Sequence, residues 1–235
     1  MQNTANCRKA LKFDMKTIIH TQILSFKDMP ILAKQYDRTV LLLRHSMRES
    51  LNNGMDPGLT PEGRNYALQC GSFLTGLEEV SFGSSPRKRT IETAQALQQG
   101  GSFTVSEIKI FNEIQDTALF SPAENLENGI KDGTLSQTLL QYFTSGKAQG
   151  MIGLKDFSVS LSDFLCRKNF DSRNTILLSH DIVCASLLLP HSVYPFKLDD
   201  WCGYIQGAAL LFEKDLCHLH YIIPSFPRPR YALFV

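Results

Sequence analysis

The chain has 235 residues, of which 43% are hydrophobic, and 24 lysines and arginines balance 23 aspartates and glutamates. This is enough apolar material for a folded domain with a sizeable core that needs no disulfide or metal crosslink. The net charge of +1 excludes a globally basic nucleic-acid-binding protein. No apolar run approaches the roughly 18 residues of a membrane-spanning helix.

The N-terminal residues carry scattered charges and lack the apolar core and cleavage site of a secretory signal, so we expect a cytoplasmic protein. Residues 1–37 are interpreted as an N-terminal extension with a helix near residues 27–36, ahead of a main domain over residues 38–235. The six cysteines show neither a CxxC motif nor zinc-ligand spacing. We therefore expect reduced thiols and no metal site.

Strands and helices alternate along the main domain. Apolar or alternating segments predict strands at residues 39–45, 78–85, 106–114 and 174–180, and a terminal hairpin at 207–213 and 217–223. Helical periodicity and capping residues predict helices at 61–77, 86–100, 134–145, 154–167 and 181–189, whereas residues 115–133 are predicted to be irregular. This alternation indicates an α/β fold, a three-layer sandwich whose mainly parallel central sheet is flanked by helices.

Polar residues follow three of the predicted strands. The first strand runs into residues 44–48 (Arg-His-Ser-Met-Arg), the second into a helix that carries Arg89, and the fourth into His180 and Asp181. Because the carboxyl ends of parallel strands meet at one edge of a sheet, we expect these residues to share a pocket. Arginines and helix N-termini bind anions, and the turn-rich loop 49–58 is predicted to form the rim of this pocket.

An imidazole among arginines suits phosphoryl transfer. The arginines disfavour a proton on the imidazole and so leave it nucleophilic, while their guanidinium groups hold the oxygens of the transferring group. The leaving alkoxide needs a proton, and Asp181 is the nearest carboxylate in sequence to the second histidine. This chemistry requires neither a metal nor an organic cofactor, and none is predicted.

Four segments resemble, in order, the motifs of the histidine phosphatase superfamily, which includes phosphoglycerate mutases and histidine acid phosphatases. LLLRHSMR resembles its Arg-His-Gly signature, PGLTPEGRNYA its Leu-Thr-x-x-Gly segment, SSPRKRTIETA its Ser-x-x-x-Arg-x-x-x-Thr-Ala helix, and LLSHD its second histidine motif. The resemblance extends over roughly residues 38–215 and implies a phosphoglycerate mutase-like fold, with residues 38–235 as the catalytic domain.

The resemblance also implies roles for the matching residues. His45 would be the nucleophile that becomes phosphohistidine, and His180 would hydrogen-bond the phosphoryl oxygens and stabilise their charge. The phosphoryl group would be bound by three arginines: Arg44, Arg48 and Arg89.

Two carboxylates are candidates for the general acid. Asp181 follows the second histidine as in the acid-phosphatase-like variant, whereas Glu113 in the segment FNEI resembles the acid of the mutase branch. We favour Asp181 because the mutase branch normally has Gly at that position. Ser46 is a departure from the signature: it replaces the usual Gly and adds a side chain beside the nucleophile.

The resemblance and the residues together predict a phosphoric monoester hydrolase that acts through phosphohistidine on a small phosphorylated substrate or a phosphoprotein. Two alternatives remain: a phosphomutase with the same nucleophile, and a catalytically silent member that binds phosphorylated ligands or protein partners. No nucleic-acid partner and no membrane span are expected. The sequence predicts neither the identity of the substrate nor the oligomeric state.

Overall fold

A computed structural model describes residues 16–20, 22–50, 56–104, 107–167, 170, 172–191 and 201–225. Within these ranges, a central sheet carries helices on both faces. Its strands are β1 (Lys16–Ile19), β2 (Leu24–Ser25), β3 (Arg38–Arg44), β4 (Val80–Ser84), β5 (Ile108–Ile110), β6 (Asn174–Ser179), β7 (Gly207–Glu213) and β8 (Leu216–Ile223). The α-helices are α1 (Met29–Leu32), α2 (Pro61–Ser72), α3 (Lys88–Gly100), α4 (Glu124–Lys131), α5 (Leu135–Ser145), α6 (Leu154–Arg167) and α7 (Asp181–Leu188).

The strand order across the sheet is β1-β8-β7-β3-β6-β4-β5, and β2 also pairs with β8. The pairs β3–β6, β6–β4 and β4–β5 are parallel, whereas β7 is antiparallel to both β3 and β8. The predicted α/β fold with a mainly parallel central sheet is therefore confirmed. The carboxyl ends of β3, β4, β5 and β6 consequently lie along one edge.

The central strand β3 is buried on both faces, as its unbroken apolar sequence predicts. Successive side chains point to opposite faces: Val40 and Leu42 join a core cluster that includes side chains of α6 and α7, and Leu41 and Leu43 join a second cluster with α2 and α3. These two clusters fill the spaces between the central sheet and the helices on each of its faces. Packing from both sides fixes the level at which β3 ends and the polar residues begin.

The described part of the N-terminal segment packs as part of the same sheet. Strands β1 and β2 pair in parallel with β8, and the fully buried side chains of Phe26 and Met29 join the cluster that contains α2 and α3. The helix expected near residues 27–36 consists of α1 between two 3-10 turns, Phe26–Asp28 and Ala33–Gln35. The domain boundary after residue 37 stays a prediction, and residues 1–15 lie outside the described residues.

Two predicted segments differ from the structure. The prediction that residues 115–133 are irregular is wrong in part, because they contain α4, whose apolar face consists of only Leu126 and Ile130, too short a pattern to mark a helix. The strand predicted at 106–114 pairs only over Ile108–Ile110, because the chain then turns into a 3-10 helix, Asn112–Ile114, that buries Ile114.

Residues 51–55 of the loop expected at the pocket rim lie outside the described residues. Among the helices of the described chain, none has the length and hydropathy to cross a membrane.

Candidate active site

The ends of β3 and β6 bring two histidines together. Arg44 pairs with Ser179 in the parallel ladder, and the backbone N–H of His45 donates to the carbonyl of Ser179 at 2.9 Å. The next residues in each strand are therefore His45 and His180, whose ring centroids lie 5.5 Å apart. Both side chains are buried. The predicted meeting of the two histidine motifs is thus present in the structure.

His45 has the protonation that a nucleophile requires. Its Nδ1 lies 2.6 Å from the carbonyl oxygen of Ser46, and because a carbonyl only accepts, the proton sits on Nδ1. The lone pair of Nε2 is left available. Burial lowers the pKa of His45 well below its usual value, and Arg89, His180 and Arg44 lower it further, so the ring is neutral at neutral pH.

Arg89 approaches His180 from the first turn of α3. Its Nη2 lies 3.2 Å from Nδ1 of His180, and a guanidinium only donates, so Nδ1 is the acceptor here. Within the described residues, Nε and Nη1 of Arg89 are buried and have no hydrogen-bond partner. Buried guanidinium donors are costly to leave unpaired, so this arrangement suits an incoming anion.

His180 is held from its other side by Ser85, the residue that follows β4. Its Nε2 lies 2.9 Å from the hydroxyl of Ser85, which in turn lies 2.8 Å from the hydroxyl of Thr90. Burial lowers the pKa of His180 to about 4, with Asp116 opposing and Arg89 reinforcing this shift. Both ring nitrogens are thus hydrogen-bonded: Nδ1 accepts from Arg89, and Nε2 of the neutral ring carries the proton and donates it to the Ser85 hydroxyl.

Arg44 and Asp181 form a partly buried pair at the carboxyl ends of β3 and β6. Nη2 of Arg44 lies 3.4 Å from Oδ2 of Asp181, and its Nη1 donates to the carbonyl of Cys202 at 2.6 Å. The same guanidinium lies 4.3 Å from the ring centroid of Tyr204, which is itself 6.0 Å from the ring of His45. Tyr204 thus borders the candidate site.

Within the described residues, neither Arg48 nor Glu113 forms a hydrogen bond or ion pair with His45 or His180. Arg48 is half-buried and donates through Nη1 to the carbonyl of Glu49 at 2.9 Å. The pKa of Arg89 is lowered mainly by burial; Asp116 opposes this shift, and the positive charge of Arg48 adds to it. Glu113 lies on the 3-10 turn that follows β5, at the same edge of the sheet, and its side chain is exposed. The structure therefore leaves both Asp181 and Glu113 at the edge where an acid is needed.

Ser46 does not lie open beside the nucleophile. Its side chain is fully buried and its hydroxyl donates to the carbonyl of Gly63 in α2 at 2.7 Å, while its backbone N–H donates to the Thr93 hydroxyl at 3.0 Å. Ser46, which replaces the usual Gly, therefore packs between the end of β3 and the two helices α2 and α3.

Two aspartates that the sequence analysis did not single out contact Arg89. Asp116 accepts from Nη2 of Arg89 at 2.6 Å and from Nε of Arg87 at 3.1 Å. Asp56 lies 3.7 Å from Nη1 of Arg89 and accepts from the backbone N–H of Lys88 at 3.0 Å, which caps α3. A signal for Asp116 existed: it follows β5, whose end lies at the same edge of the sheet as those of β4 and β6.

Among the described residues, no group of three or more His, Cys, Asp or Glu side chains is arranged to hold a metal ion.

Residues 40–118 match the family model of the histidine phosphatase superfamily (branch 1). The resemblance to this superfamily is thereby confirmed. The matched segment includes His45, Arg48, Arg89 and Glu113 but ends before Asp181. The resemblance of the second histidine motif to the acid-phosphatase-like variant of the superfamily therefore stays a prediction.

Part of the chain is similar to known proteins whose name describes a kinase and a bisphosphatase. Over 82 residues the chain is 34% identical to 6-phosphofructo-2-kinase/fructose-2,6-bisphosphatase 4 of Rattus norvegicus, and the human protein of that name matches equally well. This stretch is 33% of the present chain and only 17% of the rat protein. The chain thus aligns with less than a fifth of the length of these relatives.

Solved structures of similar fold cover most of the chain. YhfR of Bacillus stearothermophilus superposes with a TM-score of 0.55 at 16% identity, covering 78% of this chain and 96% of that one. Mycobacterial glucosyl-3-phosphoglycerate phosphatase gives a TM-score of 0.51 at 15% identity, covering 78% and 96%. At such identities the likeness shows a phosphoglycerate mutase-like α/β fold and no function.

Proposed function

We propose that the protein is a phosphomonoesterase that hydrolyses a phosphate ester through a phosphohistidine on His45. The observation that carries the proposal is that two buried side chains, His45 and Arg89, offer a nucleophilic nitrogen and cationic donors at one site. His45 is neutral with a free Nε2, and Arg89 offers buried Nε and Nη1 donors that have no hydrogen-bond partner among the described residues. A nucleophile beside unpaired cationic donors suits attack on a bound phosphoryl group.

The first step transfers the phosphoryl group to His45. Nε2 attacks phosphorus, the bond from phosphorus to the ester oxygen breaks, and the departing alkoxide takes a proton from a carboxylic acid. Arg44, Arg48 and Arg89 hold the equatorial oxygens, which carry the developing charge. The hydrogen bond from Nδ1 to the carbonyl of Ser46 becomes stronger as the ring gains positive charge, and this favours the step.

The second step returns the enzyme to its starting state. Water attacks the phosphohistidine, the carboxylate accepts the proton of the water, and the bond from Nε2 to phosphorus breaks to release inorganic phosphate. We favour Asp181 as the acid and base, since it begins α7 directly after His180. Glu113 is the alternative. None of these steps requires a metal or an organic cofactor.

The substrate is proposed to be a small phosphorylated molecule or a phosphoprotein, handled in the cytoplasm. The names of similar proteins support the first of these, because they refer to fructose 2,6-bisphosphate and glucosyl-3-phosphoglycerate. The matches are partial or distant, so they favour the chemical class and no particular sugar phosphate.

A hydrolysis screen tests the proposed reaction. Wild-type protein in EDTA is expected to release phosphate from members of a phosphomonoester panel, and His45→Ala is expected to lose this activity completely. Acid-labile label on histidine, trapped by a rapid quench with a labelled substrate, reports the intermediate. His191→Ala is the matched control, since His191 ends a 3-10 turn after the C-terminus of α7, whereas the candidate site lies at the N-terminus of that helix. Turnover that survives in His45→Ala contradicts the proposal.

The leaving group tests the assignment of the acid. Asp181→Asn is expected to slow hydrolysis of alkyl phosphates by about 100-fold and of nitrophenyl phosphate far less, because nitrophenolate leaves without a proton. Glu113→Gln serves as the paired variant. If Glu113→Gln, and not Asp181→Asn, shows this dependence on the leaving group, the roles of the two carboxylates are reversed. Transfer of label to a second substrate hydroxyl instead of water identifies a mutase.

A further inference from the structure

Asp116 places a buried carboxylate between two arginines. Its Oδ2 accepts from Nη2 of Arg89 at 2.6 Å, and its Oδ1 accepts from Nε of Arg87 at 3.1 Å and from the backbone N–H of Thr117 at 3.0 Å. The side chain is only 10% exposed. Because donors hold both oxygens, the position of the carboxylate is fixed, and it in turn fixes the groups that donate to it.

Asp116 has no proton to give near neutral pH. Burial alone would raise its pKa, but His180, Arg89 and Arg87 outweigh this effect and hold the pKa at about 2. A general acid needs a pKa near the working pH, so Asp116 does not fit that role. Any contribution it makes to the reaction must pass through the side chains that it contacts.

The contact with Arg89 divides the donors of the guanidinium into two groups. Nη2 carries two hydrogens, and its neighbours supply two acceptors: Oδ2 of Asp116 at 2.6 Å and Nδ1 of His180 at 3.2 Å. Within the described chain, Nη1 and Nε are the donors of Arg89 without a hydrogen-bond partner. Asp116 therefore anchors one end of the planar group and leaves the remaining donors for an anion.

We propose that Asp116 is a positioning residue that orients Arg89, and through it His180, for the phosphoryl group. A carboxylate beside an anion site repels the anion, so on charge alone Asp116 weakens phosphate binding. Its benefit is geometric, because a guanidinium held in place before the ligand arrives loses little freedom on binding. The role in turnover rests on the proposed function, whereas the role in phosphate binding can be measured without it.

Two variants that each remove one negative charge separate position from charge. Asp116→Asn replaces one of the two acceptor oxygens by an NH2 group, which only donates, so the side chain loses its hydrogen bond to either Arg89 or Arg87. Asp56→Asn removes a charge 3.7 Å from Nη1 of Arg89, a distance beyond a hydrogen bond, and its amide oxygen can still accept from the N–H of Lys88. Both substitutions change the local charge alike, but only the first disturbs the anchor of Arg89.

Calorimetric titration with inorganic phosphate gives the decisive comparison. The Asp116→Asn variant is expected to bind phosphate on the order of 10-fold more weakly than the wild type, and the Asp56→Asn variant equally or more tightly. Equal or tighter binding by Asp116→Asn overturns the proposal. If this variant does not fold, Asp116→Glu, which keeps the charge but displaces the carboxylate, is expected to weaken binding too. Wild-type affinity for phosphate in Asp116→Glu would also overturn the proposal.

Kinetics extend the test to turnover. With an aryl phosphate, Asp116→Asn is expected to lower kcat and raise KM, with kcat/KM falling on the order of 100-fold, because Arg89 acts on both the bound substrate and the transition state. Asp116→Glu is expected to recover part of kcat, and full activity in Asp116→Asn contradicts the proposal. A wild-type protein that binds phosphate yet hydrolyses no ester refutes the phosphatase function and leaves the binding comparison valid.

Discussion

The hydroxyl of Ser46 attaches the residue after the nucleophile to α2. It is fully buried and donates to the carbonyl of Gly63 at 2.7 Å. Ser46→Ala is expected to lower the free energy of unfolding by about 1 kcal/mol, the usual net value of a buried hydrogen bond. Urea unfolding measures this change. Phosphate affinity is expected to stay within about twofold of the wild type, because Nδ1 of His45 bonds the Ser46 carbonyl, which the substitution retains.

Ser72→Ala is the matched control for Ser46→Ala. The Ser72 hydroxyl also donates to a helical carbonyl, that of Gln69 at 2.7 Å, but it does so on the exposed side of α2. We expect no measurable change in the free energy of unfolding, since water replaces the lost bond. Equal losses in the two variants would show that burial does not determine the contribution of Ser46.

The sequence predicts which polar residues meet more easily than how they are paired. His45 and His180 each follow a buried strand directly, and Arg89 lies in the first turn of a helix after a third, so the common edge could be predicted from strand order alone. The position of Asp116 after β5 indicates that it lies near this edge, but its burial against Arg89 could not be predicted, because that burial depends on the two 3-10 turns that follow β5. The hydrogen bond from Nη2 of Arg89 to Asp116 depends on how segments distant in sequence pack together, which the sequence pattern does not give.

At the scale of elements, α2 approaches the loop after β3 so closely that only glycine fits at residue 63. A Cβ at Gly63 would lie 2.1 Å from the carbonyl oxygen of Met47. Neither atom could move away by a side-chain rotation, because one belongs to the backbone and the other is bonded to it. Gly63→Ala is therefore expected to push α2 away from the segment that carries Arg48. We expect a loss of about 2 kcal/mol in the free energy of unfolding, together with weaker phosphate binding.

Gly129→Ala in α4 separates this clash from helix propensity. Its Cβ would meet Leu135 atoms at 3.5 Å, an ordinary van der Waals distance. Alanine is favoured over glycine within a helix, so this variant is expected to be more stable by up to about 1 kcal/mol. Urea unfolding of both variants gives opposite signs if steric contact decides at Gly63. A stabilised Gly63→Ala variant would contradict the close approach.

The elements themselves were predictable where the sequence pattern was long. β3, β6 and β7 lie within a residue of their predicted bounds, because their apolar runs are continuous and both faces are buried. α4 was not predictable, since a two-turn helix with two apolar residues resembles a polar loop. The pairing of β1 and β2 with β8 was also not predictable, because two- to four-residue strands owe their conformation to the partner strand.

At the scale of the whole molecule, burial of the pocket couples the protonation of its histidines to folding. Burial lowers the pKa of His180 to about 4 and that of His45 well below its usual value, whereas both titrate near 6.5 in the unfolded chain. Between these values the unfolded chain binds more protons than the folded protein. The free energy of unfolding is therefore expected to fall as the pH falls from 6.5 towards 4.

The size and the origin of this pH dependence can both be measured. His180 alone is expected to contribute on the order of 3 kcal/mol across the window, and His220, whose pKa burial also lowers to about 4, adds to it from the other end of the sheet. Urea unfolding at intervals from pH 7 to about 5.5 stays more than one pH unit above the pKa of about 4.3 of an unperturbed glutamate, so the histidines dominate the change. The slope of the free energy of unfolding against pH gives the number of protons taken up on unfolding, and His180→Asn is expected to lower this number by about one. An unchanged slope would mean that His180 is protonated in the folded protein.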